Sequence, residues 1–197
     1  MDFVEPARAF TLELVAGRGH YERVVQAVID ARQSVWIATA NLKELMVEDH
    51  RAAPGRRRSL RAGARAYRSI LAVFDELAGR GVELRILHAG IPSRAFRAAL
   101  ARHPRLKRAL AMRACPRVHF KMVIVDGAFI YVGSANWTGA GLGAKGTGRR
   151  NFELGFAGRD DGLLDRGQGL IDTVWRGVPC KTCKLRDICP TFKKAPV

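Results

Sequence analysis

A chain of 197 residues suits one domain with at most a small appendage, and 48% apolar residues are enough for a sizeable core. The formal charge of +16, from 34 Lys and Arg against 18 Asp and Glu, points to a polyanionic partner (nucleic acid, anionic membrane or polyphosphate) or else to a merely Arg-rich background. The start Met1-Asp2-Phe3-Val4-Glu5-Pro6 has no basic stretch leading into an apolar one, and no apolar run reaches membrane-spanning length, so neither a secretory signal nor a transmembrane segment is expected and the predicted location is the cytoplasm.

Residues 11–14 (TLEL) read as an edge strand. Tyr21, Val24, Val25, Val28 and Ala31 recur at helical spacing. Residues 34–40 (SVWIATA) form a short apolar run, expected as a buried strand. An irregular Arg-rich stretch over 41–63 is broken at Pro54-Gly55. Tyr67, Ile70, Leu71, Phe74 and Leu77 mark a second helix that Gly79 and Gly81 stop, and residues 82–88 (VELRILH) are the next strand. This rhythm predicts a parallel sheet with crossover helices. Ser93 caps a short helix carrying Phe96 and Leu100, and another helix is expected from Arg105 to Met112.

Beyond Pro116 the pattern turns strand-rich. Residues 121–125 (KMVIV) and 129–132 (FIYV) flank Asp126-Gly127, a hairpin signature. Residues 139–148 are glycine-rich, 151–156 (NFELGF) are a further strand, and a last helix runs from Gly162 to Trp175. Residues 1–177 are thus expected as one domain and 178–197 as a cysteine-bearing tail, with the boundary near Gly177.

The chemistry concentrates between His119 and Glu153. His119-x-Lys121 is followed after four residues by Asp126 and, after six more, by Gly133-Ser134-x-Asn136. This resembles the HxKx4Dx6GSxN signature of the phospholipase D superfamily, with every position filled, and Glu153 stands where that family carries a downstream glutamate. The resemblance implies an α/β fold built on a mixed sheet flanked by helices. It also implies covalent phosphodiester chemistry in which the histidine of one motif becomes a phosphohistidine, that of a second motif protonates the leaving oxygen, and water resolves the intermediate. No catalytic cofactor is called for. One motif is present here. His20, His50, His88 and His103 lack a lysine at the required spacing. The single-motif relatives, small bacterial nucleases and the mitochondrial and piRNA-pathway enzymes, form two-fold dimers whose motifs meet at the interface, so a homodimer is expected.

The residue types suit the task. A phosphodiester is anionic, and neutral imidazole can attack phosphorus without a metal. Strand alternation places His119 and Lys121 on one face, so that both converge on one phosphate, with Lys121 supplying charge to the phosphorane oxygens. Ser134 and Asn136 add neutral donors from a turn expected to open a helix, whose N-terminus also favours anions. Glu153 is positioned to accept a hydrogen bond from the distal imidazole nitrogen. Asp126 has two readings, a site residue or an organiser of its Asp-Gly turn. Ser134 as a helix cap and Glu153 as an ordinary strand residue are the plainer alternatives for those two.

Two stretches are basic and free of acid, from Arg51 to Arg68 and from Arg94 to Arg117. Within them Arg56, Arg57, Arg58, Arg61, Arg65, Arg94, Arg97 and Arg117 are candidate nucleic-acid contacts, since Arg binds phosphate bidentately and stacks on bases. They favour DNA or RNA as partner over phospholipid. Hydrolysis of an anionic phospholipid and nucleic-acid binding without turnover are the alternatives.

Cys180-x2-Cys183-x5-Cys189, with the distant Cys115, makes a four-thiolate set suited to zinc or a 4Fe-4S cluster. The spacing resembles the iron–sulfur staple of some DNA-processing nucleases on a different fold. Free structural thiols are the plainer reading. A metal there is expected to be structural.

Overall fold

The computed structural model describes residues 2–48 and 66–192. Among these residues nine strands form: β1 (Glu13–Ala16), β2 (Ser34–Thr39), β3 (Met46–Glu48), β4 (Tyr67–Ser69), β5 (Glu83–His88), β6 (Leu110–Ala114), β7 (Met122–Val125), β8 (Phe129–Gly133) and β9 (Leu154–Gly158). Five α-helical segments accompany them: α1 (Gln26–Ile29), α2 (Ile70–Gly79), α3 (Arg94–Ala101), α4 (Pro104–Ala109) and α5 (Asp161–Trp175). Seven strands make one mixed sheet in the order β1-β9-β8-β7-β2-β5-β6, and β3 and β4 pair separately. Only β2, β5 and β6 run parallel, and every other pairing in the large sheet is antiparallel. The crossover rhythm of the first half therefore gives the parallel part, and the Asp126-Gly127 hairpin converts the rest to a meander. Among the described residues no helix is long and apolar enough to cross a membrane.

The apolar runs are central because both faces of the sheet are covered. Val35, Ile37, Leu84, Ile86, Val123 and Val125 join one core with α1, α2 and the apolar sides of α3 and α4. Their strand neighbours Ala38, Leu87, Met122 and Ile124 join a second core with Leu164, Ile171 and Val174 of α5. This is the period-two division of a strand buried on both faces. Gly167 lets α5 approach closely, since a Cβ there would lie 2.9 Å from Ile130 and 3.0 Å from Met122.

Several expected boundaries move for tertiary reasons. The edge strand begins at Glu13, where pairing with β9 starts. The first helix opens as a π-helical turn over Tyr21–Val25. Tyr67 precedes α2, because Ser69 caps the helix by accepting from the N–H of Leu71 at 3.1 Å and the residues before the cap pair with β3. The helix expected through Met112 ends at Ala109, after which Leu110 to Ala114 extend alongside β5. No helix follows Gly133-Ser134, so a helix N-terminus contributes nothing there; residues 134–145 are irregular, with turns over 139–143. Asn151 and Glu153 precede β9 instead of belonging to it.

Candidate active site

The sheet topology collects the signature residues at one edge. β7 runs antiparallel to β2, with Met122 opposite Ala38, so the residues just before β7 lie at the carboxyl ends of β2 and β5. β8 returns to the same edge, where the Gly133 N–H donates to the Lys121 carbonyl at 3.1 Å. β9 starts from it, with Gly155 opposite Gly133. His119, Lys121, Ser134, Asn136 and Glu153 are thereby gathered from three chain segments. Ligands of open α/β sheets bind outside the carboxyl ends of the parallel strands, which is this edge.

His119 is exposed, and Lys121 Nζ donates to the His119 carbonyl at 2.9 Å. Burial pushes the Lys121 ammonium below its ordinary pKa, and the negative charge of Glu153 opposes that fall. Glu153 accepts from the Ser134 hydroxyl and, at 3.0 Å, from Asn151 Nδ2. Ser134 Oγ also accepts from the Leu154 N–H at 3.0 Å, and the Ser134 N–H donates to the Leu154 carbonyl at 2.9 Å. Ser134 thus clamps the end of β8 to the start of β9 and holds the Glu153 carboxylate. In the described residues that carboxylate is engaged by Ser134 and Asn151 and not by the His119 imidazole of its own chain. A cavity of about 320 Å³ opens beside the pair, lined by Gly17, Ser134, Asn151, Phe152 and Glu153.

Asn136 is fixed by its carbonyl oxygen, which accepts from the Asn41 N–H at 3.0 Å and lies 3.3 Å from the Thr39 hydroxyl. The Trp137 N–H donates to that hydroxyl at 2.9 Å. The amide nitrogen of Asn136 is the remaining donor. Asp126 lies elsewhere, at the opposite end of β7 from His119. It adopts φ +55° and accepts from the backbone N–H groups of Arg32, Gln33 and Ser34. Grouped with the site by sequence, it is separated from it by the strand and ties the hairpin to the start of β2.

Sequence reasoning missed the layer beneath. Tyr131 is fully buried behind Gly133 and Gly155, its hydroxyl accepting from the Ala135 N–H at 3.2 Å, and burial raises its pKa to about 12. His20 meets the Tyr131 ring edge-on at 5.5 Å and bonds the Gly17 carbonyl through Nδ1 at 3.2 Å, while its buried Nε2 has no partner among the described residues. Burial lowers its pKa, against the Gly17 bond and the charge of Glu153. Thr39 and Asn41 belong to the same unpredicted set. Nothing in local pattern marks any of the four, because the contacts that bring them to the site, His20 with Tyr131 and both Thr39 and Asn41 with Asn136, join distant parts of the chain.

Of the candidate phosphate contacts, Arg94 and Arg97 are exposed on α3, and Arg117 is exposed two residues before His119. The Ser93 N–H donates to the Leu42 carbonyl at 3.0 Å, and Leu42 bridges Trp137, so the start of α3 borders the Asn136 turn. Arg56, Arg57, Arg58, Arg61 and Arg65 lie outside the described residues.

Comparison with known proteins agrees with this geometry. No curated protein matches the chain. Among solved structures, NucT from Helicobacter pylori superposes with a TM-score of 0.57 at 15% identity, over 84% of this chain and 96% of its own. Nuc from Salmonella typhimurium, a phospholipase D family member, gives 0.56 at 18% identity, over 84% and 94%. TrmBL2, an archaeal chromatin protein with a novel mode of DNA binding, gives 0.53 at 13% identity, over 84% and 52%. The family described as cardiolipin synthase, PLD-like domain, matches residues 24–175. With that match across most of the chain, and with the signature residues assembled on one sheet edge, the chain belongs to the phospholipase D superfamily, whose members are phosphodiesterases.

Proposed function

We propose that this chain is a homodimeric phosphodiesterase that cleaves DNA or RNA by covalent catalysis at His119. The observation that carries the reading is the convergence of an exposed His119 with Lys121, Ser134, Asn136 and the held Glu153 on one edge of the sheet. The imidazole nitrogen attacks phosphorus, a P–N bond forms, and the P–O bond to the leaving group breaks. Lys121 and the Asn136 amide stabilise the charge on the non-bridging oxygens. The leaving oxygen takes a proton from His119 of the partner subunit, which then receives a proton from the water that hydrolyses the P–N bond. This sequence uses imidazole as nucleophile and acid, and needs no metal.

A second copy supplies the second histidine. An apolar strip supports where it docks: Phe152, Leu154 and Phe156 are exposed on the segment that carries Glu153, and Leu14 faces Phe156 across the β1–β9 pair. Such a strip beside an incomplete site suits burial against its own copy. Nucleic acid is favoured as substrate by the net charge of +16 and by the exposed Arg94, Arg97 and Arg117 around the site, and TrmBL2, a chromatin protein that binds DNA, shares this fold over about half of its length. Phospholipid hydrolysis is the second reading, favoured by the lipid-enzyme description of the matching family.

The deciding assay incubates purified protein in EDTA with single- and double-stranded DNA, RNA and anionic phospholipid vesicles. A nucleic acid should be cleaved, and His119→Ala should lower the rate by about three orders of magnitude or more while leaving fold and dimer intact. Near-wild-type cleavage by that variant overturns the assignment of the nucleophile. Turnover of vesicles alone replaces the substrate, and binding without turnover of any substrate removes the enzyme reading.

A further inference from the structure

All four cysteines of the chain line one cavity of about 460 Å³, although Cys115 is far in sequence from Cys180, Cys183 and Cys189. Cys115 follows β6 directly, its N–H donating to the His88 carbonyl at 2.8 Å. The other three come from the segment after α5. Gly177, at φ +76°, reverses the chain there, and a Cβ in its place would meet Arg113 at 3.0 Å and the Cys180 sulfur at 3.4 Å. Two short 3₁₀ turns, Val178–Cys180 and Arg186–Ile188, then bring the tail back to the end of β6. Thr191 Oγ1 donates to the Ala114 carbonyl at 2.6 Å, and the Cys189 thiol lies 4.0 Å from the same oxygen.

This segment has almost no core of its own. Between Val178 and Phe192 only Cys189 is buried, while Val178, Leu185, Ile188 and Phe192 are exposed. A segment without a core, holding only two three-residue turns, keeps a fixed conformation through a covalent or metal staple. The thiols are all free, which leaves the metal. Cys115, Cys180 and Cys183 are only half-buried, unlike cysteines used as core filling. The rest of the lining is largely apolar, including Val118, Phe120, Leu170 and Val174, with Arg113 and Arg117 as cations and Asp2 as the one acid.

We infer that Cys115, Cys180, Cys183 and Cys189 hold a 4Fe-4S cluster that staples the tail to the end of β6. Among the described residues no three His, Cys, Asp or Glu side chains are placed to hold a single metal ion. Four thiols lining one largely apolar cavity, without three of them placed around a single ion, match the ligand set of a 4Fe-4S cluster, which takes one thiolate to each iron. On ligation each cysteine loses its proton, and the anionic cluster gains Arg113 and Arg117 as neighbours. Three residues separate Cys115 from His119, so the staple also anchors the strand approach to the catalytic edge. The inference goes beyond the proposed nuclease activity and does not depend on it.

The test uses the full chain purified without oxygen, and the same protein reconstituted with ferrous iron and sulfide. About four irons and four acid-labile sulfides per chain are expected, with the brown colour of a cluster. His119→Ala should carry the same load, which separates this result from the fate of the nuclease reading. Cys183→Ser and Cys115→Ser should each lose most of the iron and melt at lower temperature. Should those variants fail to fold, the iron and sulfide content of the wild type and of His119→Ala decides alone. One zinc per chain without sulfide, or neither metal above a tenth of an equivalent, overturns the inference.

Discussion

The carboxylate of Asp126 accepts from three consecutive backbone N–H groups at 2.7 to 3.2 Å, and the Asp126 N–H returns a bond to the Ser34 carbonyl at 2.9 Å. Asp126→Ala removes the acceptor and leaves a non-glycine residue at positive φ. The expected cost is about 2 kcal/mol, read as a lower urea midpoint, with the specific activity of the folded fraction unchanged. A large loss of activity at full stability would place Asp126 in the chemistry after all. His20 gives a second prediction at this scale. Its folded pKa is lowered by burial, so the unfolded chain binds the proton more tightly. Stability is therefore complete above the unfolded value of about 6.5 and declines as pH falls below it towards the folded value. Burial lowers His88 in the same sense. His20→Phe should flatten part of that slope in melting curves taken from about pH 7 to pH 5 and leave the share of His88.

The β8–β9 pair positions the site as a unit. Gly133 and Gly155 face each other across the ladder, and a Cβ on Gly155 would stand 2.4 Å from the Tyr131 ring. The ring is fully buried and cannot swing away. Gly155→Ala should cost about 2 kcal/mol or more by overpacking and displace the adjoining Glu153 and Ser134. Calorimetry and kcat together check this, with both expected to fall; an unchanged melting temperature would show that the pocket has room. Gly133 is legible in the sequence because it belongs to the signature. Gly155 is not, since its need for a bare Cα comes from a side chain on the neighbouring strand. The same contrast appears at β6. Local pattern extends the helix to Met112, but the free edge of β5 captures Leu110 to Ala114 as a strand, a case of pairing overriding propensity.

For the whole molecule the net charge of +16 governs the encounter with substrate. If nucleic acid is bound through phosphates, affinity should fall about tenfold between 50 and 200 mM salt for every two phosphates contacted. Arg94→Glu with Arg97→Glu should weaken binding and make the dependence shallower. Binding that ignores salt would point to an uncharged ligand. The apolar strip through Leu14 and Phe156 makes a companion prediction. Phe156→Glu should yield monomers in sedimentation, and activity should fall with dimer content, because in the proposed mechanism each site takes its second histidine from its partner. Full activity in a monomer would require a different general acid.

Sequence alone determined the alternating elements of the first half, the Asp126-Gly127 hairpin and the family signature from His119 to Asn136, because each rests on spacing within one or two neighbouring elements. Cys180, Cys183 and Cys189 were legible as a set for a similar reason, their residue type and short spacing. The tertiary structure decided the rest. It made the sheet mixed, set Asp126 apart from the site and gave Glu153 to Ser134. It placed Thr39, Asn41, Tyr131 and His20 behind the signature residues, and drew Cys115 to the tail. These arrangements depend on contacts between residues distant in the chain. Such contacts are fixed by how strands pair and faces pack, and a linear pattern carries no record of them.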